Sequence, residues 1–583
     1  MSQSTTQSPI SNISGLSSLP PMFQQNPGLL GVAVLAILLL MAGTIGGSHN
    51  KQVLAKAKWA GPKEIENNRK LALKQIKNQI HNEIGLWIGS PQGLKIQTQG
   101  SKNVLYVPED PNIVYLSNIQ ESALVIAGPG SGKSASIVDR LAESAIWQGK
   151  SIMFFDAKGH EEGIDSLAPS SKLAGFAKAR GYKVFVIAPG CAESDCLNIT
   201  DLLEHQNDSD NAFQLGDTLV KNFGLNEGGN PFFEQTGAML CQALLMLAKG
   251  VRGDIALCSK FLALPNLLER LAATEMSEYQ RAAFDNFLSS SGSPETAASI
   301  ATTAMTMFSR FMSPDILSVF SRPTTVPLQL HGRQMLIFRV NVKKKALVMP
   351  LIAAAIDQIL RRSIFTERKN SLISLFDEFA LMKLVDLDEF LNTGRSSGSG
   401  CILATQSMGF AENTYGEKKF KSIQGGCGTQ IIGKLNENQT AEYYERQLGK
   451  EDLTYHQRSQ STGKAGDSSS SSEQKQTRSL MEIQEWTQLQ LGEFVILNPG
   501  QKNQKSARLP YKVQIRIPER DWQEAKISAQ RWRKFKQQKI QNQVAFPFTE
   551  EELKNRRLKA EELLPLAQNE SKSEIEAKLA AKY

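Results

Sequence analysis

Short apolar runs alternate with amphipathic stretches over most of this chain, and Gly, Asp or Pro bounds each run. Seven runs are apolar almost throughout, at residues 123–126, 151–159, 183–190, 334–340, 371–380, 400–407 and 429–435. Runs of this kind are typical of strands that are buried on both faces of a parallel sheet. The pattern therefore predicts an α/β fold in which helices cover a mostly parallel sheet.

A long stretch of helical periodicity interrupts this alternation. Between residues 198 and 326 the apolar positions recur at helical spacing, as in AMLCQALLMLA and TAMTMFSRFM, and no strand pattern is found. We therefore predict an all-α domain over 198–326, inserted between two parts of the α/β domain at 85–197 and 327–518.

Two further segments differ in composition from the rest. Residues 459–478 contain a run of five serines, which predicts a disordered loop within the α/β domain. Residues 519–583 are charged and favour helix, which predicts a helical C-terminal tail. Within this tail Trp522, Trp532 and Phe535 alternate with basic residues. Such a segment either contacts nucleic acid or packs its aromatic rings on the protein body, and both interpretations stay open.

The N-terminal region contains a 20-residue apolar run. Residues 28–47 carry no charge and match the length of about 20 residues that crosses a bilayer. A cleaved signal peptide would begin with basic residues, whereas residues 1–27 have no charged side chain. We therefore predict a retained transmembrane helix over 28–47, preceded by a flexible extracytoplasmic tail over 1–27.

Basic residues cluster directly after this run and indicate the orientation of the chain. Eight of them, Lys51, Lys56, Lys58, Lys63, Arg69, Lys70, Lys74 and Lys77, lie on the C-terminal side of the apolar run. The positive-inside rule then places the N-terminus outside and the bulk of the chain in the cytoplasm. Residues 48–84 are predicted to form a juxtamembrane helix, whose apolar side is more readily explained by packing on the body than by lipid contact.

Composition adds few constraints. The 583 residues are 41% hydrophobic, with 66 basic and 58 acidic side chains and a net charge of +8, which permits polyanionic partners without requiring them. The six cysteines are too dispersed for a disulfide framework and suit a reducing compartment. Cys191 and Cys196 lack a second ligand pair, which argues against a structural metal site.

The most specific signal is AGPGSGKS, which follows the first apolar run and precedes a helical pattern. Apart from its initial alanine it matches the phosphate-binding loop GxxxxGK[ST] in its strand, loop and helix context. The eight residues predicted to bind ATP are Ala127, Gly128, Pro129, Gly130, Ser131, Gly132, Lys133 and Ser134. Gly130 and Gly132 allow the tight turn, Lys133 reaches the β- and γ-phosphates, and Ser134 binds Mg²⁺. Ala127 satisfies a position that needs a small residue more than a positive φ.

An acidic pair ends the fifth apolar run. Asp377 and Glu378 follow the strand pattern SLISLF some 240 residues after the loop. Beside a phosphate-binding strand, Asp377 is predicted to help hold Mg²⁺, and Glu378 to act as the general base that polarises the attacking water. The acidic pair is a weak signal alone and a strong one together with the loop.

Two further residues are candidates for catalysis. Gln406 ends the next strand pattern and is predicted to sense the γ-phosphate, with a capping role as the alternative. Arg395 is predicted to lie in a loop rich in glycine and serine, where it suits an arginine finger that reaches a neighbouring subunit, although exposed loop arginines are more often simply solvated.

Taken together, these motifs resemble the type IV secretion coupling proteins of the TraG/TraD group. The resemblance rests on FFDAKG at 154–159, VIAPG and LNITDLL within 186–203, NPFFEQTGAMLCQALL at 230–245, LFDEFA, GRSSGSGCILATQS, TYGEKKFKSI at 414–423 and RSLMEIQEWTQLQLGEFVILNPG at 478–500. These motifs follow the family's order over about 370 residues, from the phosphate-binding loop to Gly500.

The resemblance implies a RecA-like ATPase that works as a homo-hexamer on the bacterial inner membrane and moves single-stranded DNA into a conjugation channel. It also implies relaxase, or the relaxosome, and channel proteins as partners, and it strengthens the assignments of Arg395 and Gln406. Many members carry two transmembrane helices, whereas one is predicted here. Two alternatives remain, a FtsK- or HerA-like DNA translocase and an ATP-binding membrane scaffold that docks substrates.

Overall fold

The computed structural model describes residues 57–99, 103–159, 168–223, 231–366, 368–463, 466–503, 508–542 and 547–566. The predicted tail over 1–27 and the predicted transmembrane helix over 28–47 lie outside these residues. Among the helices that are described, none combines the length and the apolar character needed to cross a bilayer.

A nine-stranded sheet forms the centre of the molecule. The described residues form fifteen strands, nine of which belong to this sheet. They are β1 (Leu86–Ile88), β2 (Leu94–Gln99), β3 (Asn103–Pro108), β4 (Val114–Leu116), β5 (Ala123–Ile126), β6 (Ser151–Asp156), β7 (Lys183–Ile187), β8 (Gln334–Arg339), β9 (Leu372–Phe376), β10 (Ser399–Thr405), β11 (Thr429–Ile432), β12 (Lys450–Gly463), β13 (Gly466–Ser479), β14 (Glu493–Leu497) and β15 (Pro510–Gln514). The order in the large sheet is β15-β14-β11-β5-β10-β9-β6-β8-β7. Two-stranded sheets pair β1 with β4, β2 with β3, and β12 with β13.

The seven strands from β11 to β7 are parallel, and they are the seven apolar runs found in the sequence. Strands β14 and β15 extend the β11 edge in antiparallel orientation. The prediction of a mostly parallel sheet is therefore confirmed.

Alternate residues of the central strands pack into two different apolar clusters. In β5, Leu124 and Ile126 lie in one cluster, whereas Ala123 and Val125 lie in the other. All four side chains are fully buried. Burial on both faces explains why these strands are apolar throughout instead of alternating with polar residues.

Helices cover both faces of the sheet. They are α1 (Pro62–Asn78), α2 (Asp139–Trp147), α3 (Pro169–Lys178), α4 (Ser209–Asn222), α5 (Pro231–Gly250), α6 (Ile255–Leu262), α7 (Leu267–Ala273), α8 (Glu278–Ser289), α9 (Pro294–Arg310), α10 (Pro314–Phe320), α11 (Lys345–Ile364), α12 (Leu387–Ser397), α13 (Met408–Tyr415), α14 (Glu417–Gly426), α15 (Asn438–Leu448), α16 (Ile483–Thr487), α17 (Glu519–Asn542) and α18 (Glu550–Leu563).

Helices α4 to α10 form a helical lobe between β7 and β8. The described residues of 198–326 contain helices and turns and no strand. Helix α5 is the centre of this lobe, and Leu240, Cys241 and Leu244 on it are buried. These side chains belong to the same apolar cluster as Leu124 and Ile126 of the sheet. The lobe therefore shares its core with one face of the sheet.

Two predicted segments differ in the structure. Of the juxtamembrane helix predicted over 48–84, residues 48–56 lie outside the described residues. The described part contains α1, which ends where Gln79 adopts a left-handed φ of 52°. Its buried residues include Ala72 and Ile76, which pack on the body as the sequence favoured. The loop predicted over 459–478 is wrong, because β12 and β13 pair along 14 residues each. Backbone pairing needs no apolar side chains, so a serine-rich sequence does not reveal it.

The predicted C-terminal tail packs on the body in its described part. Helix α17 lies so close to α3 that a Cβ atom on Gly175 would overlap the carbonyl oxygen of Ser528. Trp532 is 3% exposed, and Phe535 packs beside it. For these two rings the packing interpretation holds, whereas Trp522 is 37% exposed.

Candidate active site

The phosphate-binding loop has the backbone that its glycines predict. It follows the end of β5, and Gly130 and Gly132 adopt φ values of +74° and +88°, where side chains other than glycine are strained. Ala127 is absent from the residues with positive φ and is fully buried. A Cβ atom on Gly433, just after the adjacent strand β11, would lie 2.8 Å from the Ala127 Cβ. The space at position 127 is therefore small, and alanine satisfies it.

The helix after the loop begins at the residues predicted to bind phosphate. A π-helical turn over Lys133–Val138 leads into α2, and the Ser136 N–H donates to the Gly132 carbonyl over 2.7 Å. The first amide groups of a helix carry partial positive charge and lack partners within the helix. Their position at Lys133 and Ser134 suits an anion at this edge of the sheet.

Two side-chain contacts join the loop to the acidic pair. Lys133 Nζ lies 3.1 Å from Glu378 Oε2, and the Ser134 hydroxyl donates to Asp377 Oδ1 over 2.7 Å. All three charged groups are nearly buried, with exposures of 9% for Lys133, 2% for Asp377 and 5% for Glu378. Residues about 240 positions apart in the sequence thus form one polar cluster, as the two motifs predict.

The strand order of the sheet explains why the phosphate-binding loop and the acidic pair are in contact. The sequence predicted that the strand of the acidic pair lies directly beside the strand of the phosphate-binding loop. Strand β10 instead lies between β5 and β9, so the acidic pair is one strand further away. Lys133 and Ser134 bridge this distance because all three strands are parallel and end at the same edge. Gln406 follows β10 at this edge, beside the end of β9, and is exposed. This is a suitable position for a group that senses phosphate.

Unpartnered polar atoms in this cluster indicate room for a ligand. Glu378 Oε1 and Ser131 Oγ are buried and have no hydrogen-bond partner among the described residues. Such atoms are costly unless something else satisfies them. The described residues contain no group of three His, Cys, Asp or Glu that could hold a metal alone. A hydroxyl and one carboxylate instead suit Mg²⁺, which usually takes its other ligands from water and phosphate.

Arg395 lies away from this cluster within its own chain. The loop predicted around it is wrong, because Arg395 belongs to the last turn of helix α12, which precedes β10. Its Nη2 lies 2.6 Å from Oε1 of Glu121, just before β5. Both positions are at the amino ends of parallel strands, opposite the phosphate-binding edge. The side chain is 62% exposed. A finger that acts on a neighbouring subunit must lie outside its own site, so the prediction for Arg395 is not altered.

The structure adds neighbours that the motifs did not include. Burial lowers the pKa of Lys345 at the start of α11, and the Glu378 carboxylate opposes this shift. The Asn436 amide lies 2.9 Å from where a Cβ atom on Gly128 would be. Both residues follow strands of the central sheet, which is the signal that could have identified them. Asp139, at the start of α2, is buried, and desolvation raises its pKa to about 6.

Comparison with known families decides the relationship. The profile of the type IV secretory system conjugative DNA transfer family matches residues 74–543. The chain belongs to this family. Its members act in conjugative DNA transfer, which assigns the chain to that process. None of the curated proteins compared with the chain matches its sequence.

Solved structures of a coupling protein share the fold. TrwBΔN70 in its unbound monoclinic form matches with a TM-score of 0.53 at 16% identity, covering 70% of this chain and 87% of that one. The trigonal form in complex with sulphate has a TM-score of 0.51 at 16% identity, covering 74% and 94%. TrwB with a non-hydrolysable ATP analogue has a TM-score of 0.51 at 15% identity, covering 74% and 94%. The chain therefore has the P-loop NTPase fold of TrwB.

Proposed function

We propose that this chain hydrolyses ATP and uses the energy to move DNA during conjugation. The observation that carries the proposal is the paired contact of Lys133 with Glu378 and of Ser134 with Asp377. This arrangement brings a phosphate-binding cation, two candidate metal ligands and a candidate base into one cluster. The TrwB structure with an ATP analogue supports ATP as the ligand.

Each residue has a defined task in this proposal. The turn at Gly130 and Gly132 presents backbone amides to the phosphates, and Lys133 exchanges its contact with Glu378 for one with the β- and γ-phosphates. Glu378 then accepts a proton from the attacking water. Ser134 and Asp377 would hold Mg²⁺, which neutralises phosphate charge when bound. Gln406 lies at the same edge and would contact the γ-phosphate.

The site suits a RecA-like motor that acts as a homo-hexamer. The strand that Gln406 follows lies between the P-loop strand and the strand of Asp377, so the three motifs meet at one edge of the sheet. In a ring, Arg395 would reach the neighbouring subunit's ATP. Lysine and arginine side chains in the ring lumen would attract single-stranded DNA through its phosphates, without regard to sequence. Relaxase, or the relaxosome, and channel proteins are the partners that the family suggests.

We place the protein on the bacterial inner membrane with a single span. The apolar run at 28–47 and the basic residues after it support this topology. The N-terminus would then lie outside, and the ATPase would face the cytoplasmic nucleotide pool.

ATP hydrolysis by the full chain in lipid nanodiscs tests the proposal against its alternatives. We expect single-stranded DNA to stimulate hydrolysis, and Lys133→Ala to abolish it because the phosphates lose their cation. A wild type no faster than Lys133→Ala would favour an ATP-binding scaffold. A FtsK- or HerA-like translocase would instead require stimulation by double-stranded DNA and none by single strands.

A further inference from the structure

The loop before β14 carries an apolar side chain over the phosphate-binding loop. The leucine at position 491 is 68% exposed. Its Cδ1 atom lies 3.2 Å from where a Cβ atom on Gly132 would be. An exposed leucine is not informative by itself. The position of Leu491 directly over a phosphate-binding turn is informative.

Backbone contacts fix this loop in place. The Gly492 N–H donates to the Ser131 carbonyl over 3.1 Å, and the Ile515 N–H donates to the Gly492 carbonyl over 2.8 Å. The Gln514 amide donates to the Leu491 carbonyl over 2.8 Å. Leu491 is therefore held between the P-loop and β15 while its side chain stays exposed. This arrangement resembles a preorganised contact surface more than a mobile loop.

The sheet order shows which part of a nucleotide this surface would meet. Asp377 and Glu378 lie on the β9 side of β5, and β14 lies on the other side, in the order β14-β11-β5-β10-β9. Strand β14 runs antiparallel to β11, so its first residue, Glu493, lies at the phosphate-binding edge. A triphosphate with its γ-phosphate at Glu378 extends its nucleoside end away from β9, toward Leu491.

We infer that Leu491 packs against the purine base of the bound nucleotide. This inference rests on the proposed ATP site and extends it to base contact. A leucine side chain offers dispersion and apolar burial to the flat face of a purine and makes no hydrogen bond. It therefore holds any purine and adds affinity for the nucleoside that the phosphates alone do not have.

Calorimetric titration of the full chain in nanodiscs with MgADP and with magnesium tripolyphosphate tests the inference. Leu491→Ala is expected to raise the Kd for MgADP about five- to tenfold, because apolar contact area is lost. Its Kd for tripolyphosphate, which has no base, stays unchanged. Leu491→Phe retains MgADP affinity because a ring also packs on a purine. Leu558→Ala, at a 55% exposed leucine of α18, is the matched control and leaves both constants unchanged.

Three results would overturn the inference. One is an unchanged Kd for MgADP in Leu491→Ala, which would mean that this side chain meets something else, such as a neighbouring subunit. Another is an equal loss for tripolyphosphate, which would show that the substitution disturbs the P-loop itself. If the wild type binds neither ligand, the proposed function fails together with the inference.

Discussion

Glu378 is the residue on which the chemistry depends most. Its carboxylate contacts Lys133 through one oxygen, and its other oxygen is buried without a partner among the described residues. We predict that Glu378→Gln binds ATP and hydrolyses it about 10²- to 10⁴-fold more slowly, because the phosphate ligands remain while the base is lost. Nucleotide binding and steady-state hydrolysis, measured on the same preparation, check this. Normal turnover would remove Glu378 from its role.

Asp139 makes the stability of the folded chain depend on pH. Burial raises its pKa from 3.8 to about 6, with Lys172 and Arg140 opposing the shift and Asp377 and Asp156 adding to it. Between these two pH values the folded state binds more protons than the unfolded state, so stability falls as pH rises. The shift corresponds to about 3 kcal/mol for this group.

We therefore predict that Asp139→Asn reduces the loss of thermal stability between pH 4 and pH 7. The asparagine has no proton to release, so this part of the pH dependence disappears. The comparison must be made between the two proteins, because burial also raises the pKa of Glu143 to about 7, which adds a pH dependence of its own. Melting temperatures across this range check the prediction, and parallel curves for wild type and variant would contradict it.

At the residue scale, the sequence predicted those site residues that directly follow a strand. The P-loop and the acidic pair each follow an apolar run, and parallel strands place such ends at one edge. Asn436 and Lys345 follow strands of the sheet, so the same signal could have identified them. Leu491 could not be found in this way, because it lies in the loop before β14, whose position depends on the whole sheet.

At the element scale, α17 is the part of the chain for which the sequence left two interpretations. Trp532 is buried against the body, and Trp522 on the same helix is 37% exposed. We predict that Trp532→Ala loosens α17 from α3, because truncating a buried aromatic side chain costs about 3–5 kcal/mol. Faster hydrogen exchange in both helices is the measurement, with Trp522→Ala as the control. Equal protection in Trp532→Ala and wild type would mean that this ring does not hold the helix.

Helix α18 extends this packing to the helical lobe. Arg556 lies 2.9 Å from Asp254, which caps the start of α6, and Leu564 follows α18 in a fully buried position. Charged and helix-prone sequence alone predicts a tail, since α18 has one buried residue, Ala560, and no clear apolar stripe. The β12–β13 hairpin was missed for a related reason, because its serine-rich sequence has no apolar pattern that predicts a strand.

At the scale of the whole molecule, Arg395 provides a test of the proposed hexameric ring. It lies at the edge of the sheet opposite Lys133 in the same chain, so any contact with ATP must cross a subunit boundary. We predict that Arg395→Ala and Lys133→Ala are each inactive, and that mixing them restores part of the hydrolysis. Mixed rings contain some sites with an intact Lys133 from one subunit and an intact Arg395 from its neighbour. If mixing gives no activity although mixed rings form, Arg395 does not act in trans.

The parallel orientation of the strands and the helical insertion could be predicted from periodicity, because both depend on the apolar pattern of long segments. The antiparallel edge formed by β14 and β15 was not among the predicted strands. After the buried Pro510, β15 alternates half-buried and exposed positions, as expected for the last strand of an open sheet, and such a short alternating segment is hard to recognise.

The central claim is that ATP hydrolysed at the cluster of Lys133, Asp377 and Glu378 moves DNA. The most direct measurement is displacement of streptavidin from a biotinylated single strand by the full chain in nanodiscs. We predict displacement by the wild type that requires ATP, and none by Glu378→Gln even where it binds ATP and DNA. Displacement without ATP, or at the same rate in Glu378→Gln, would contradict the account.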